Sequence, residues 1–205
     1  MSGPLLVLVP LRIEQLALGE IPGLAVIRTG MGPDRARIAA ARALAHGATA
    51  VAVAGLCAGI DPALEAGDVV CPTELLGDDG TTAEVAESSA LLDALRRRGL
   101  RIHAGTLAST DRILGPAERA RRFDGALAVD MESAWLAAGA DGRPFAVVRV
   151  VADTAGRRLA DPRMAIAGLR ALRNLRRVGE ALADWAEADA SRDNLTQPLP
   201  GEAVA

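Results

Sequence analysis

Seven short apolar runs, each closed by Gly, Pro, Asp or another polar break, constrain this chain more than any other feature: Leu5 to Val9, Leu24 to Ile27, Ala50 to Ala54, Val69 to Cys71, Ile102 to Leu107, Ala126 to Val129 and Phe145 to Val151. Their length suits strands. Most are nearly continuous in hydrophobicity and do not alternate, the pattern of a sheet covered by helices on both faces. Helical spacing fills the intervals over Asp34 to Ala45, Ser88 to Arg97, Pro116 to Arg122 and Glu132 to Ala138, the last with Asp130 in a capping position. A final helix is expected from about Pro162 to Trp185, broken near Gly168. Strands alternating with helices predict an α/β fold, a three-layer αβα sandwich around a central mixed, mostly parallel sheet. The 205 residues suit one domain, over 1–188. Residues 189–205 lack periodicity and contain two Pro, which reads as a mobile tail.

Composition removes several classes of function. The net charge is -3 and the 23 basic residues, all Arg, are scattered, so there is no electrostatic footprint for nucleic acid or an anionic membrane. The N-terminal stretch MSGPLLVLVPLRIEQL has no basic leader and too short an apolar run for a signal peptide or a transmembrane segment, and a cytoplasmic location is expected. Cys57 and Cys71 are too few for a disulfide framework and read as small buried hydrophobes.

Four segments place small or acidic residues at the C-terminal ends of predicted strands, where ligands bind in open α/β sheets. They are Thr29-Gly30-Met31-Gly32, Gly55-Leu56-Cys57-Ala58-Gly59, Val129-Asp130-Met131-Glu132 and Arg149-Val150-Val151-Ala152-Asp153. The glycine-rich pair reads as turns into helices that let backbone approach a ligand, although packing alone explains either one. Glu132 begins a helix, where the macrodipole favours a carboxylate. Asp153 follows the most apolar strand, where partial burial would raise a carboxyl's pKa and suit it to general acid work; a helix cap is the plainer reading of an isolated Asp there. His46, before Gly47, reads as a helix C-terminal contact, and His103 lies in a predicted strand.

Together, in this order and spacing, the four segments resemble the nucleoside phosphorylase superfamily, in particular the branch holding methylthioadenosine/S-adenosylhomocysteine nucleosidase, futalosine hydrolase and the hopanoid-associated enzymes. The resemblance runs from residue 5 to about 180. It implies that Asp153 donates to N7 of a purine, that Glu132 accepts hydrogen bonds from ribose hydroxyls, and that Met131 packs on the sugar. It further implies that Val129 lies by the base, that Ile113 and Leu114 stand where an aromatic residue usually stacks, and that no metal or organic cofactor is needed. A purine nucleoside is the implied ligand and a homodimer the implied assembly.

The same resemblance leaves the nucleophile open. In the nucleosidase branch a Glu after the first strand activates water, and Glu14 is the nearest fit. In the phosphorylase branch an Arg in a Pro-Leu-Arg context binds inorganic phosphate, and Pro10-Leu11-Arg12 looks like that tripeptide. The second phosphate element of that branch is replaced here by Val53-Ala54-Gly55-Leu56, which has neither charge nor hydroxyl, so hydrolysis is the expectation, with Glu14 as general base, with Gly30, Gly55, Leu56 and Arg12 around the pocket for water or an anion, and with Arg12 then at the surface or behind the residues that touch the ligand. Ala152 stands where the superfamily has Ser before its Asp. The segment ADTAGRRLADP looks most like the hopanoid-associated enzymes, implying an adenosine with a lipid-like 5' substituent. A catalytically silent nucleoside-binding protein is the rival from another class.

Overall fold

The computed structural model describes residues 4–45, 47–154 and 163–196. Along the chain these form β1 (Leu5–Val9), α1 (Arg12–Leu18), β2 (Leu24–Arg28), α2 (Pro33–Leu44), β3 (Ala50–Gly59), β4 (Val69–Gly77), β5 (Thr82–Glu84), α3 (Ser89–Arg97), β6 (Ile102–Ser109), α4 (Pro116–Arg122), β7 (Ala128–Asp130), α5 (Ser133–Leu136), β8 (Phe145–Asp153) and α6 (Arg163–Thr196). The eight strands make one sheet, in the order β2-β1-β3-β7-β6-β4-β5, with β8 paired to both β3 and β4. Five of its pairings are parallel, while β3–β7, β4–β5 and β4–β8 are antiparallel. The expected mixed, mostly parallel sheet is therefore present.

Successive side chains of β1, β3 and β8 serve two cores, which is why those runs do not alternate. Leu5, Val7 and Val9 of β1, Ala50, Ala52 and Ala54 of β3, and Val148 and Val150 of β8 pack with Leu91 and Leu95 of α3 and Leu175, Val178, Leu182 and Trp185 of α6. Their neighbours Leu6, Leu8, Val51, Val53, Val147 and Val151 pack on the opposite face with Ala36, Ala39 and Ala43 of α2 and Ala134, Trp135 and Leu136 of α5. Small residues on α2 let that helix approach the sheet closely. Gly139, in a short 3-10 turn after α5, carries the same logic: a Cβ there would stand 3.0 Å from the Ala40 backbone.

Several expectations need correction. The segment Gly55-Leu56-Cys57-Ala58-Gly59 is not a turn into a helix but the second half of β3, which pairs with β8 as far as Ala58 opposite Asp153. The helix α1 was not legible, since its seven residues expose Ile13 and Leu16 and bury a carboxylate. The three-residue strand β5 is too short and polar to read. Helix α6 passes through Gly168 unbroken and continues to Thr196, through the first part of the stretch 189–205 read as aperiodic. His46 lies outside the described residues.

Leu182 on α6 has no exposure and belongs to the larger core. Leu182→Ala is expected to lower stability by about 2–5 kcal/mol, since a cavity is left against a rigid sheet; urea unfolding measures it.

Candidate active site

The C-terminal ends of β1, β3, β7 and β8 converge on one cavity of about 530 Å³. Glu14, Leu56, Ile113, Leu114, Val129, Met131, Glu132 and Asp153 all line it, with Pro10, Leu11, Met31, Cys57, Ala152 and Arg119 among the others. Residues from six separate parts of the chain thus meet at one place.

Beneath the cavity lies Arg149, on β8 and fully buried. Its Nη2 is 2.6 Å from Asp130 Oδ2 and 3.6 Å from Glu132 Oε2, and its Nε and Nη2 both donate to Ser133 Oγ, at 3.1 and 3.0 Å. Asp130 is the hub that orders this end of β7: Oδ1 accepts from Ser109 Oγ at 2.6 Å and from the Glu132 N–H at 3.1 Å, and the Ser133 N–H donates to the same carboxylate. Asp130 so caps α5 from within, leaving Glu132 free to face the cavity, with its Oε1 accepting from the Gly32 N–H at 3.2 Å. Burial pushes the Glu132 carboxyl well above the usual carboxylate range, against the pull of Arg149.

Glu14 is 1% exposed and stands on the first turn of α1. Its Oε2 accepts from the Leu11 N–H and its Oε1 from the Leu56 N–H, each at 2.7 Å. Two charge-assisted bonds to backbone, one from the start of α1 and one from β3, fix the carboxylate in one pose. Burial is the largest influence on its pKa and raises it, outweighing Arg149 and the two N–H donors, which lower it. Gly55 explains itself here: a Cβ at that position would collide with the Arg149 guanidinium and stand 2.7 Å from Glu14 Oε1.

Asp153 is half-buried at the end of its apolar strand, and it meets a buried cation there. Its Oδ2 accepts from Nη1 of Arg119 at 2.8 Å, and that Arg, on α4, is itself buried. The sequence offered no sign of this, since Arg119 is one of four Arg residues within 112–122. Arg112, by contrast, is exposed and paired with Glu118.

A family model described as the phosphorylase superfamily matches residues 10–183. The chain belongs to that superfamily. Comparison with curated protein sequences finds no match. Among solved structures it is similar in fold to the 5'-methylthioadenosine/S-adenosyl homocysteine nucleosidase of Campylobacter jejuni, with a TM-score of 0.76 at 18% identity over 89% of this chain and 99% of that one. It is similar likewise to the futalosine hydrolase of Helicobacter pylori (TM-score 0.73, 17% identity, 92% and 99% covered). A third is the nucleosidase from Neisseria meningitidis in complex with methylthio-immucillin-A (0.70, 23%, 91% and 99%).

Of the residues expected around the water or anion pocket of this superfamily member, the structure brings only Leu56 to the cavity wall. Arg12 is exposed and, with Gly30, lines a neighbouring groove at the β1–β2 edge. The reason is helical: Arg12 and Glu14 are two residues apart on α1, about 200° around the axis, so burying one turns the other outward. Gly55 lies below the wall, against Glu14 and Arg149. Ile113 is 80% exposed at the rim, whereas Leu114 and Val129 are buried. His103 is held by Asp68 at 2.9 Å at the opposite ends of the strands, a structural pair. Burial raises both thiols, that of Cys71 to about 12, as expected of inert side chains. Of ADTAGRRLADP, all beyond Thr154 falls outside the described residues.

Arg149 is the feature sequence reading passed over. Arg149→Met is expected to cost about 3–5 kcal/mol near neutral pH, because buried carboxylates lose their counter-charge. Without the cation the folded-state pKa values of Glu14 and Glu132 rise further above their unfolded values, so the folded state binds the extra protons. The deficit therefore shrinks as pH falls from about 8 to about 5, which urea titrations of both proteins measure.

Proposed function

We propose that the protein is a nucleosidase that hydrolyses the N-glycosidic bond of a 5'-substituted adenosine and releases adenine. The observation that carries this reading is the placement of Glu14: a buried carboxylate, clamped by two backbone N–H groups, facing the same cavity as Glu132 and Asp153. In this reading Glu14 takes a proton from a water molecule as its oxygen bonds to C1' of the ribose. Glu132 accepts hydrogen bonds from the ribose hydroxyls and Met131 packs on the sugar. Val129, Ile113 and Leu114 border the base, whose leaving edge meets Asp153. The C1'–N9 bond breaks with its electron pair going to the base.

Hydrolysis is favoured over phosphorolysis on electrostatic grounds, because an ionised Glu14 at the nucleophile position repels a phosphate dianion and Arg12 lines a different groove. Such chemistry needs no metal or organic cofactor. The apolar wall of Pro10, Leu11 and Met31 supports an apolar 5' substituent, for which the adenosyl-hopane of the hopanoid-associated enzymes is the example. A homodimer is part of the proposal, supported by exposed Ile13, Leu16, Ile27, Met31 and Ile38 on α1, β2, α2 and the turn before it. So is a cytoplasmic location; among the described residues no helix is long and apolar enough to cross a membrane.

The test is adenine release from a panel of 5'-substituted adenosines, one of them strongly apolar, with and without phosphate. Release independent of phosphate is expected, and Glu14→Gln should lower kcat by about 10²–10⁴-fold, as loss of a general base does. An absolute requirement for phosphate would transfer the reading to a phosphorylase, and adenosine binding without release to a binding protein. Glu14 works only when ionised, and its pKa is raised, so kcat/KM should fall on the acid side with an inflection above the ordinary carboxylate range. A profile flat down to about pH 4.5 would contradict it.

A further inference from the structure

Arg residues that are scattered along the sequence are gathered by the fold. Arg12 of α1, Arg28 at the end of β2, and Arg35 and Arg42 of α2 line the groove of about 500 Å³ at the β1–β2 edge, and no acidic residue lines it with them. Among the described residues none of these four guanidinium groups is in a hydrogen bond or an ion pair. The neighbouring Arg37, by contrast, is paired with Asp34 and Asp79. The gathering has local causes. Arg35, Ile38, Ala39 and Arg42 recur at helical spacing and so share one face of α2. Gly30 has a φ of +83°, and a Cβ there would stand 2.7 Å from Arg35 Cδ, so the glycine lets that side chain lie across the turn between β2 and α2.

The floor of the groove is apolar, with Leu6 and Leu8 of β1 and Ile27 of β2. Cations of one sign over a low-dielectric floor repel one another and focus their field outward, which concentrates anions. The groove is also continuous with the candidate active site. Pro10, Leu11 and Met31 line both it and the cavity that holds Glu14, Glu132 and Asp153. A ligand with its ribose at Glu132 and its 5' arm over Met31 therefore points that arm at the arginines.

We propose that this groove is the subsite for the far end of the substrate's 5' substituent, and that this end carries a carboxylate or a phosphate held by Arg12, Arg28, Arg35 and Arg42. The inference rests on the nucleosidase reading and narrows it: the substituent is apolar where it crosses Pro10, Leu11 and Met31, and anionic beyond them. Guanidinium groups suit either anion, because their forked donors match two oxygens at once. No bond forms or breaks in the groove. The arginines act on binding, so the charge is felt in KM and leaves kcat to the residues at the glycosidic bond.

The experiment compares adenosines whose 5' thioether chains, of several lengths, end in methyl, carboxamide, carboxylate or phosphate. Calorimetry on Glu14→Gln protein, which turns substrate over slowly, should show the best-fitting chain bound at least about tenfold more tightly with an anionic end than with carboxamide, the scale of one charge-assisted hydrogen bond. The carboxylate and phosphate arms identify the anion that fits. In wild-type protein the same preference should appear in KM, and it should shrink as salt is raised from about 0.05 to about 0.5 M. Arg28→Gln/Arg35→Gln changes two exposed residues and should fold. In it the ratio of anionic to carboxamide chains should fall close to one, with kcat/KM for the methyl-ended chain unchanged. Equal binding of anionic and carboxamide ends at every length overturns the proposal, as does a preference unchanged in the double variant. In that last case light scattering and binding to phosphatidylglycerol vesicles tell whether the cations serve a second copy or a membrane instead. The nucleosidase reading fails separately, if wild-type protein releases no adenine from any member of the panel, and the calorimetric preference is still read.

Discussion

One buried cation holds the centre of this molecule together. Arg149 on β8 has no solvent exposure, yet it faces Asp130, Glu132 and Ser133 at hydrogen-bonding or ion-pair distance and lies close to Glu14 across Gly55. The carboxylates come from α1 and from the end of β7, so a single guanidinium ties two stretches of chain to the strand that supplies Asp153. A buried arrangement of this kind is weak evidence for stability, because desolvation consumes most of the attraction. Its value lies in position: each carboxylate oxygen is held in one place, so Glu132 faces the cavity and Asp130 turns inward as a cap.

Backbone donors do the rest of the placing. Glu14 is bound by the Leu11 and Leu56 N–H groups, one following β1 and one within β3. Those strands are themselves paired in parallel register, Leu5 with Ala50 through Leu8 with Val53. The pose of the carboxylate is therefore inherited from the sheet, the most rigid part of the protein, and not from a loop. Gly55 is the condition for it, since any side chain there would occupy the space where Glu14 and Arg149 approach.

The sandwich was legible because a strand buried on both faces writes a continuous apolar run, as β1, the first half of β3 and β8 do. Cys57, Gly55 and Leu56 misled because glycine-rich sequence suggests a turn, whereas here it marks a strand that must pass close to buried charge. Glu132 and Asp153 could be found by their places after strands, Glu14 only through the family resemblance. Arg119 could not: nothing local separates it from Arg112, Arg121 or Arg122, and only the folded path of α4 buries it against Asp153. Arg12 was drawn to the pocket by a tripeptide, but the rotation of a helix too short to show its period in sequence sends it elsewhere.

The position of β8 has a consequence for how the molecule is assembled. It is the last strand in chain order, yet it lies between β3 and β4 in the sheet and carries both Arg149 and Asp153. A growing chain that has completed the first seven strands has β3 linked to β4 only through β7 and β6, lacks the strand that bridges them directly, and gives Asp130 no Arg149 to face. Pairings between residues about a hundred positions apart must form last, which makes for slow folding and a long-lived unpaired seam. Until β8 closes that seam, the carboxylates that define the cavity have no reason to be buried, so the site comes into being in the same event that completes the core.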